Sequence, residues 1–332
     1  MMFEVRMFSA GLMCISAMYV LTGCQSSMHA PDEKYYLVAT NVKLPYWQAA
    51  SNGLDASAAQ LKIKAEMVGP ATYDPKAEQE EMQRIIAKKP SGILISAADP
   101  EVLKGEINAA IAAGIPVVTM DSDAPGSQRL FFVGTNNYEA GLIGGKVLAK
   151  QLNGKGNVVV FTIPKQANLE ERLHGYRDAL AAFPEIKLSD IVDIHGSAST
   201  AFDKTGEILK SKSKVDGFVC LEATAGKEVA DVLNRQKVTG KTVVAMDTDD
   251  GTLDWIEKGG IVATIAQRPY TMAFVGLKVL DDLYHHKLQP LNADWAQNLM
   301  SPIPSVIDTG ATLVDKNNLA DIRKLTPKMP AQ

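Results

Sequence analysis

An internal duplication constrains this chain more than any other feature. Val117-Val118-Thr119-Met120-Asp121-Ser122-Asp123 recurs as Val243-Val244-Ala245-Met246-Asp247-Thr248-Asp249, 126 residues later. Upstream, Gly92-Ile93-Leu94-Ile95-Ser96 is matched by Gly217-Phe218-Val219-Cys220-Leu221 at an offset of 125. Two features at nearly one offset point to two copies of a single plan. Short β-branched runs lie near 35–40, 62–68, 92–96, 116–120 and 130–134. A second series follows near 157–163, 186–194, 217–221, 242–246 and 261–265. Helix-period segments fill most intervals. Met82, Ile85 and Ile86 share a face between Glu78 and Lys88, and Asp99-Pro100 opens a helix that Gly114 closes. Strands alternating with helices build parallel sheets covered on both faces. The expected fold is α/β, with two similar, five-stranded, doubly wound parallel-sheet lobes.

The first thirty residues read as an address. Arg6 and Glu4 precede a mostly apolar run from Met7 to Thr22, shorter than the ~20 residues a membrane-spanning helix needs. Charged start, apolar middle and small-residue end make a signal peptide over 1–23. Residues 24–33 read as a tether. Cys14, Cys24 and Cys220 are the chain's only cysteines, which excludes a disulfide-stapled fold and a Cys-rich zinc site. Cys220 lies in an apolar strand, where an inert buried thiol is expected. Lys+Arg against Asp+Glu is 34 to 38, with no basic run, so no nucleic-acid surface is expected.

In open parallel sheets ligands bind beyond the carboxyl ends of the strands. Asn41, Tyr46 and Trp47 follow the first strand. Asp121 and Ser122 follow the fourth, Glu222 the eighth, Asp247 the ninth, and Gln267 and Arg268 the tenth. Arg172 lies early in the helix after the sixth. Carboxylates that accept paired hydroxyls, an Arg fork and aromatic rings over C–H faces form the set that recognises a neutral sugar. Three acids against Arg172 disfavour an anion. Taken singly, each residue has a plainer role: Asp121 and Asp247 as duplicated turns, Glu222 at a helix start, Tyr46 and Trp47 in the core, Arg172 on a solvated face. Their shared place at strand ends favours the joint reading.

No catalytic constellation is found, and no cofactor is expected. A G-x-G-x-x-G after the first strand is missing, and Gly141-Leu-Ile-Gly144-Gly145-Lys146-Val147 lacks P-loop spacing, so its glycines read as helix-packing contacts. Asp247 to Gly251 fails as a calcium loop because Met246 and Thr248 fall on ligand positions. His285-His286 has poor metal spacing, so no metal site is expected.

Several stretches closely resemble the type I periplasmic sugar-binding proteins of the ribose/xylose/galactose branch: Val38 to Trp47, Ile115 to Asp123, Asn168 to Tyr176, and Val243 to Pro269. The resemblance covers about residues 34–316. It implies a binding protein and not an enzyme, with one sugar held between two lobes joined by three hinge crossings near 135, 267 and 302. The implied N-terminal lobe is 34–135 with 268–302, the C-terminal lobe 136–267 with 303–316, and the tail 317–332. Tyr46 and Trp47 fall where the family sandwiches or flanks the ring. Asp121, Arg172, Asp247 and Gln267 fall on hydroxyl-binding positions. Ser122 and Glu222 stand where ribose binders carry Arg and Asn, so no single sugar is implied. Leu21-Thr22-Gly23-Cys24 is similar to the bacterial lipobox, which implies export, a lipid on Cys24 and no other contact with the membrane. The implied partner of a monomeric chain is an ABC permease or, alternatively, a chemoreceptor or sensor kinase.

Overall fold

The computed structural model describes residues 29–211 and 214–325. The signal peptide, Cys24, the first part of the tether and the end of the tail lie outside the described residues. Within them, no helix is long and apolar enough to cross a membrane.

Two six-stranded sheets form the frame. The first contains β1 (Lys34–Val38), β2 (Lys64–Val68), β3 (Gly92–Ile95), β4 (Val117–Met120), β5 (Phe132–Gly134) and β11 (Val306–Asp308), in the order β11-β5-β4-β3-β1-β2. The second contains β6 (Lys155–Thr162), β7 (Glu185–Asp193), β8 (Gly217–Cys220), β9 (Thr242–Met246), β10 (Ala263–Ala266) and β12 (Thr312–Asp315), in the order β12-β10-β9-β8-β6-β7. The orders are the same, and the duplicated segments fill equivalent places: β3 and β8, β4 and β9. All pairings are parallel except β10 with β12. The central strands are buried throughout, as strands covered on both faces must be. Each sheet has its own apolar core.

The sixth strand of each sheet corrects the expected five. Neither β11 nor β12 carries a long apolar run, because each is an edge strand whose residues, Val314 apart, are exposed or half-buried. Both come from the end of the chain, after the duplication has closed.

The helices follow ordinary stop and start chemistry. Asp74 caps α2 (Pro75–Ala87) by accepting from the Lys76 and Ala77 N–H groups, and Asp99 caps α3 (Pro100–Ala112) through Glu101. In the other unit, Asp249 caps α8 (Asp250–Lys258), and Gly259 closes it with φ +82°. Glu257, which fits a calcium-loop spacing, instead accepts from Arg323. The remaining helices are α1 (Pro45–Leu61), α4 (Asn137–Gln151), α5 (Ala167–Leu180), α6 (Ala198–Lys210), α7 (Ala225–Arg235), α9 (Pro269–His285) and α10 (Leu319–Leu325).

The chain passes between the units three times. It leaves the first sheet after β5 and enters α4, which packs on α5. It returns after β10 through Gln267 and Arg268 into α9, which packs on α1. The third passage runs from β11 to β12, at 309–311, and not near 302. Ile303 accordingly lies in the first core. Part of the expected tail is also built in: Leu319 is buried in the second core, and Arg323 pairs with Asp254.

Glu78, in the first turn of α2, is fully buried; one carboxylate oxygen accepts from the Ala98 N–H at 3.0 Å and the other has no protein partner. Burial pushes its carboxyl well above the ordinary 4.5, against the opposing effect of that N–H. The folded chain therefore keeps a proton that the unfolded chain releases, and the contribution of this group to stability falls as pH rises past about 4.5. Glu78→Gln keeps an acceptor for Ala98 and removes the ionisation. Thermal melts from pH 4 to 8 should show a stability gain that is absent at the acid end and grows with pH; a constant difference would refute this account.

Candidate functional site

The carboxyl ends of both sheets face one cavity, with an empty volume of about 500 Å³ including open solvent at its mouth. The first unit supplies Thr40, Asn41, Leu44, Tyr46, Trp47, Tyr73 and Asp121. The second supplies Ile163, Gln166, Asn168, Leu169, Arg172, Gly196, Glu222, Ala223 and Asp247, and Gln267 comes from the passage between them.

The duplicated turn is the first element of the site. Asp121 has φ +64° and Asp247 φ +67°, so equivalent residues after β4 and β9 both occupy the left-handed region. Their amides are held alike, by the Val133 carbonyl at 3.1 Å and the Ile265 carbonyl at 2.9 Å. Asp tolerates this conformation better than most residues. Neither residue caps a helix. The turn aims both carboxylates into the space between the units.

Arg172 is the second element. It is 2% exposed and far from the solvated face it could have occupied. Its donors reach Asn137 Oδ1 at 2.9 Å, the Leu221 carbonyl at 2.7 Å and Gln267 Oε1 at 2.7 Å. Gln267 passes the chain on through its amide to Asp247 Oδ1 at 3.0 Å. Close packing of α4 on α5 sets this position: a methyl at Gly141 would collide with the Arg172 carbonyl, and one at Gly175 with the Tyr138 carbonyl. Gly141 is thus a packing contact, as its sequence context suggests, and Gly175 is its counterpart on α5.

Asp121 accepts from the Tyr46 hydroxyl at 2.6 Å, Ser96 Oγ at 3.1 Å and Asn168 Nδ2 at 3.4 Å. The last contact crosses from one unit to the other. Burial raises the Asp121 carboxyl, with Arg172 opposing. The same burial pushes Asp247 up to about 7, again against Arg172, while the charges of Asp121 and Glu222 add to the rise. Tyr46 is held well above its ordinary 10 by burial and by Asp121, so its hydroxyl keeps its proton and remains a donor.

The aromatic pair forms one wall. Trp47 is 2% exposed and belongs to the first core while also lining the cavity. The Tyr46 and Trp47 rings lie 5.3 Å apart with planes 80° from parallel, which is the geometry of a flank and not of a two-sided sandwich.

Glu222 lines the cavity, but it also serves the helix start. Its carboxylate accepts from the Thr224 N–H and hydroxyl and from the Ala225 N–H, at 2.8, 2.6 and 2.8 Å. Ser122 does not line the cavity. It is fully buried, and its N–H bonds to Ser96 Oγ at 3.3 Å. Arg268 is exposed and also lies off the cavity, which leaves Arg172 as the lining cation.

Sequence reading missed Tyr73, Gln166, Gly196 and Asn168. Asn168 Oδ1 and Gln166 Oε1 are buried without a protein partner, so both offer acceptors at this site. Asn168 had a signal, since it sits four residues before Arg172 on one helix face. Tyr73 and Gly196 come from connections that carry no periodicity. Cys220 is buried, its thiol pushed well up by burial, and it lies off the cavity.

Known proteins share this architecture. AraP, an arabinose-binding protein from Geobacillus stearothermophilus, superposes with a TM-score of 0.71 at 32% identity, over 88% of this chain and 99% of its own. A solute-binding protein from Burkholderia graminis in complex with D-arabinose gives 0.78 at 27% identity, over 88% and 98%. The D-apiose import binding protein of Paraburkholderia graminis is 25% identical over 67% of this chain and 72% of that one. The periplasmic binding protein domain family matches residues 35–287. The cleft between twin parallel sheets is that family's architecture, and the chain belongs to it.

Proposed function

We propose that this chain captures a neutral monosaccharide between its two lobes, as the substrate-binding component of an ABC-type sugar importer. One observation carries the reading: two carboxylates at duplicated left-handed turns, tied through Gln267 and Asn168 to a shared set of buried amides and one buried Arg. Carboxylates and amide oxygens accept sugar hydroxyls, Arg172 and the amide N–H groups donate to them, and the Tyr46–Trp47 wall takes C–H groups. The sugars named for the relatives above are pentoses, so a pentose is the first candidate.

Capture works by population shift. A sugar that touches both lobes binds the closed arrangement better than the open one and draws the equilibrium toward it. The closed pair then presents one composite face to a membrane permease. The leader over 1–23 supports export, and the lipobox supports a lipid on Cys24. The relatives are binding proteins, and this reading assigns the bound sugar no turnover.

Thermal shift against pentoses, hexoses, polyols, nucleosides and amino acids tests the ligand class. Ligand at 100 times its Kd adds ~2.7 kcal/mol of stability, which moves the melt by several degrees. A response only to nucleosides or amino acids would overturn the sugar reading.

Asp247, pushed up to about 7, accepts hydroxyl bonds more strongly when ionised, so affinity should rise as pH passes from 6 to 8 and then level. Asp247→Asn should weaken binding about ten- to a hundredfold, the loss of a charged hydrogen bond worth roughly 1.5–3 kcal/mol, and should flatten that pH profile by calorimetry.

Gly196 has φ +62°, and a methyl there would lie 2.7 Å from Tyr73 Cβ of the other lobe. Gly196→Val should therefore obstruct closure. Calorimetry should show at least about a tenfold loss of affinity, from roughly 1–3 kcal/mol of backbone strain and clash, with the circular dichroism spectrum unchanged. For the anchor, labelled palmitate should enter the wild-type chain in growing cells and not Cys24→Ser.

A further inference from the structure

At the far end of α9 from the cavity, about 25 Å away along a 17-residue helix, four side chains converge. They are His29, Glu33, Asp281 and His285, and among the described residues they form the one group of His and acidic side chains with metal-ligand spacing. Two arms bring them together. Asp281 and His285, four residues apart, share a face of α9 near its C-terminus. His29 and Glu33 come from the segment just before β1. His286 pairs with Asp282 on the surface, and His285, itself exposed, reaches across to His29 and Glu33.

The donor atoms are spaced as a metal would space them. His29 Nδ1 lies 3.0 Å from Glu33 Oε2 and 3.5 Å from Asp281 Oδ1. His285 Nε2 lies 3.2 Å from His29 Nδ1, 3.2 Å from Glu33 Oε2 and 3.7 Å from Asp281 Oδ1. All four donor atoms lie within 4.8 Å of one another. A tetrahedral ion with bonds of about 2.0–2.2 Å separates its ligands by about 3.3–3.6 Å. Five of the six edges fall around that value.

The carboxylates are prepared for this role. Glu33 and Asp281 are 4% and 8% exposed, so two like charges share a poorly solvated site. The Ala30 N–H holds Glu33 Oε1 at 2.6 Å, which leaves Oε2 to the cluster. The buried Tyr35 hydroxyl donates to Asp281 Oδ1 at 3.1 Å and fixes that carboxylate in turn. Two carboxylates, two neutral imidazoles and a divalent ion would sum to zero charge.

We infer that this cluster is a structural zinc site, closed by two His and two carboxylates, that clamps the segment before β1 to the end of α9. Its nitrogen and oxygen donors suit Zn²⁺ and not Ca²⁺ or Mg²⁺, which take six or more oxygens. Four protein ligands leave no open position, as in sites that hold structure and do no chemistry.

The test uses the full chain, free of any affinity tag, stripped with EDTA and titrated with Zn²⁺ by calorimetry. Elemental analysis should give one zinc per chain, and the melting temperature should rise on loading. Co²⁺ in its place should give the intense visible absorption of a tetrahedral ion. The His29→Ala/His285→Ala double variant should bind Zn²⁺ at least tenfold more weakly while keeping its sugar-dependent melting shift. Asp281→Asn, which keeps an oxygen for Tyr35, should also weaken binding. Failure of the stripped chain to take up zinc, equal binding by the double variant, an octahedral cobalt spectrum, or preference for Ca²⁺ would each overturn the assignment.

Discussion

The cavity depends on one buried cation. Arg172 is removed from water and satisfied on three sides by Asn137, the Leu221 carbonyl and Gln267, which belong to the start of α4, the end of β8 and a passage between the lobes. Desolvating a guanidinium costs several kcal/mol unless its donors are met and counter-charge lies near. Asp121 and Asp247 supply that charge, and Arg172 in turn keeps their carboxyls from rising further. Without the cation, two acids would face each other across a poorly solvated space. The same group therefore organises the connections and sets the charge of the cavity.

Duplication explains why the acids come as a pair. Each half of the chain ends its fourth strand in the same left-handed turn, and two similar sheets placed end to end bring the turns to a common space. Strained positions of this kind persist when the surroundings over-determine them, here through the Val133 and Ile265 carbonyls. The two halves then diverge in their partners. Asp121 is held by Tyr46, Ser96 and Asn168, whereas Asp247 is held by Gln267. One plan thus gives two acceptors with different partners.

Most of the framework was legible because buried parallel strands and capped helices write themselves as apolar runs, Asp-Pro starts and Gly stops. The edge strands β11 and β12 were not, since edge strands need no continuous apolar run and belong to sheets whose other members lie far upstream. That omission also misplaced the third passage, which follows β11. Of the residues expected to gather at the strand ends, all but Ser122 and Arg268 line the cavity, because a parallel sheet delivers strand ends to one edge. Ser122 is instead fully buried, its N–H bonded to Ser96 Oγ and its carbonyl accepting from the Ala97 N–H.

The sequence by itself determined the twin α/β plan, the strand-end placement of Asp121 and Asp247, and the glycines that let α4 approach α5. These are local properties, set by hydrophobic period, capping chemistry and the repeat. Tertiary structure alone decided which polar groups meet. It buried Arg172 instead of leaving it on a wet face, set Glu222 to cap a helix while lining the cavity, and brought Asn168 across to Asp121. It also joined His29 to His285, 256 residues apart in the chain. Contacts between distant segments depend on how completed sheets and helices pack, and no local pattern of residues encodes that packing.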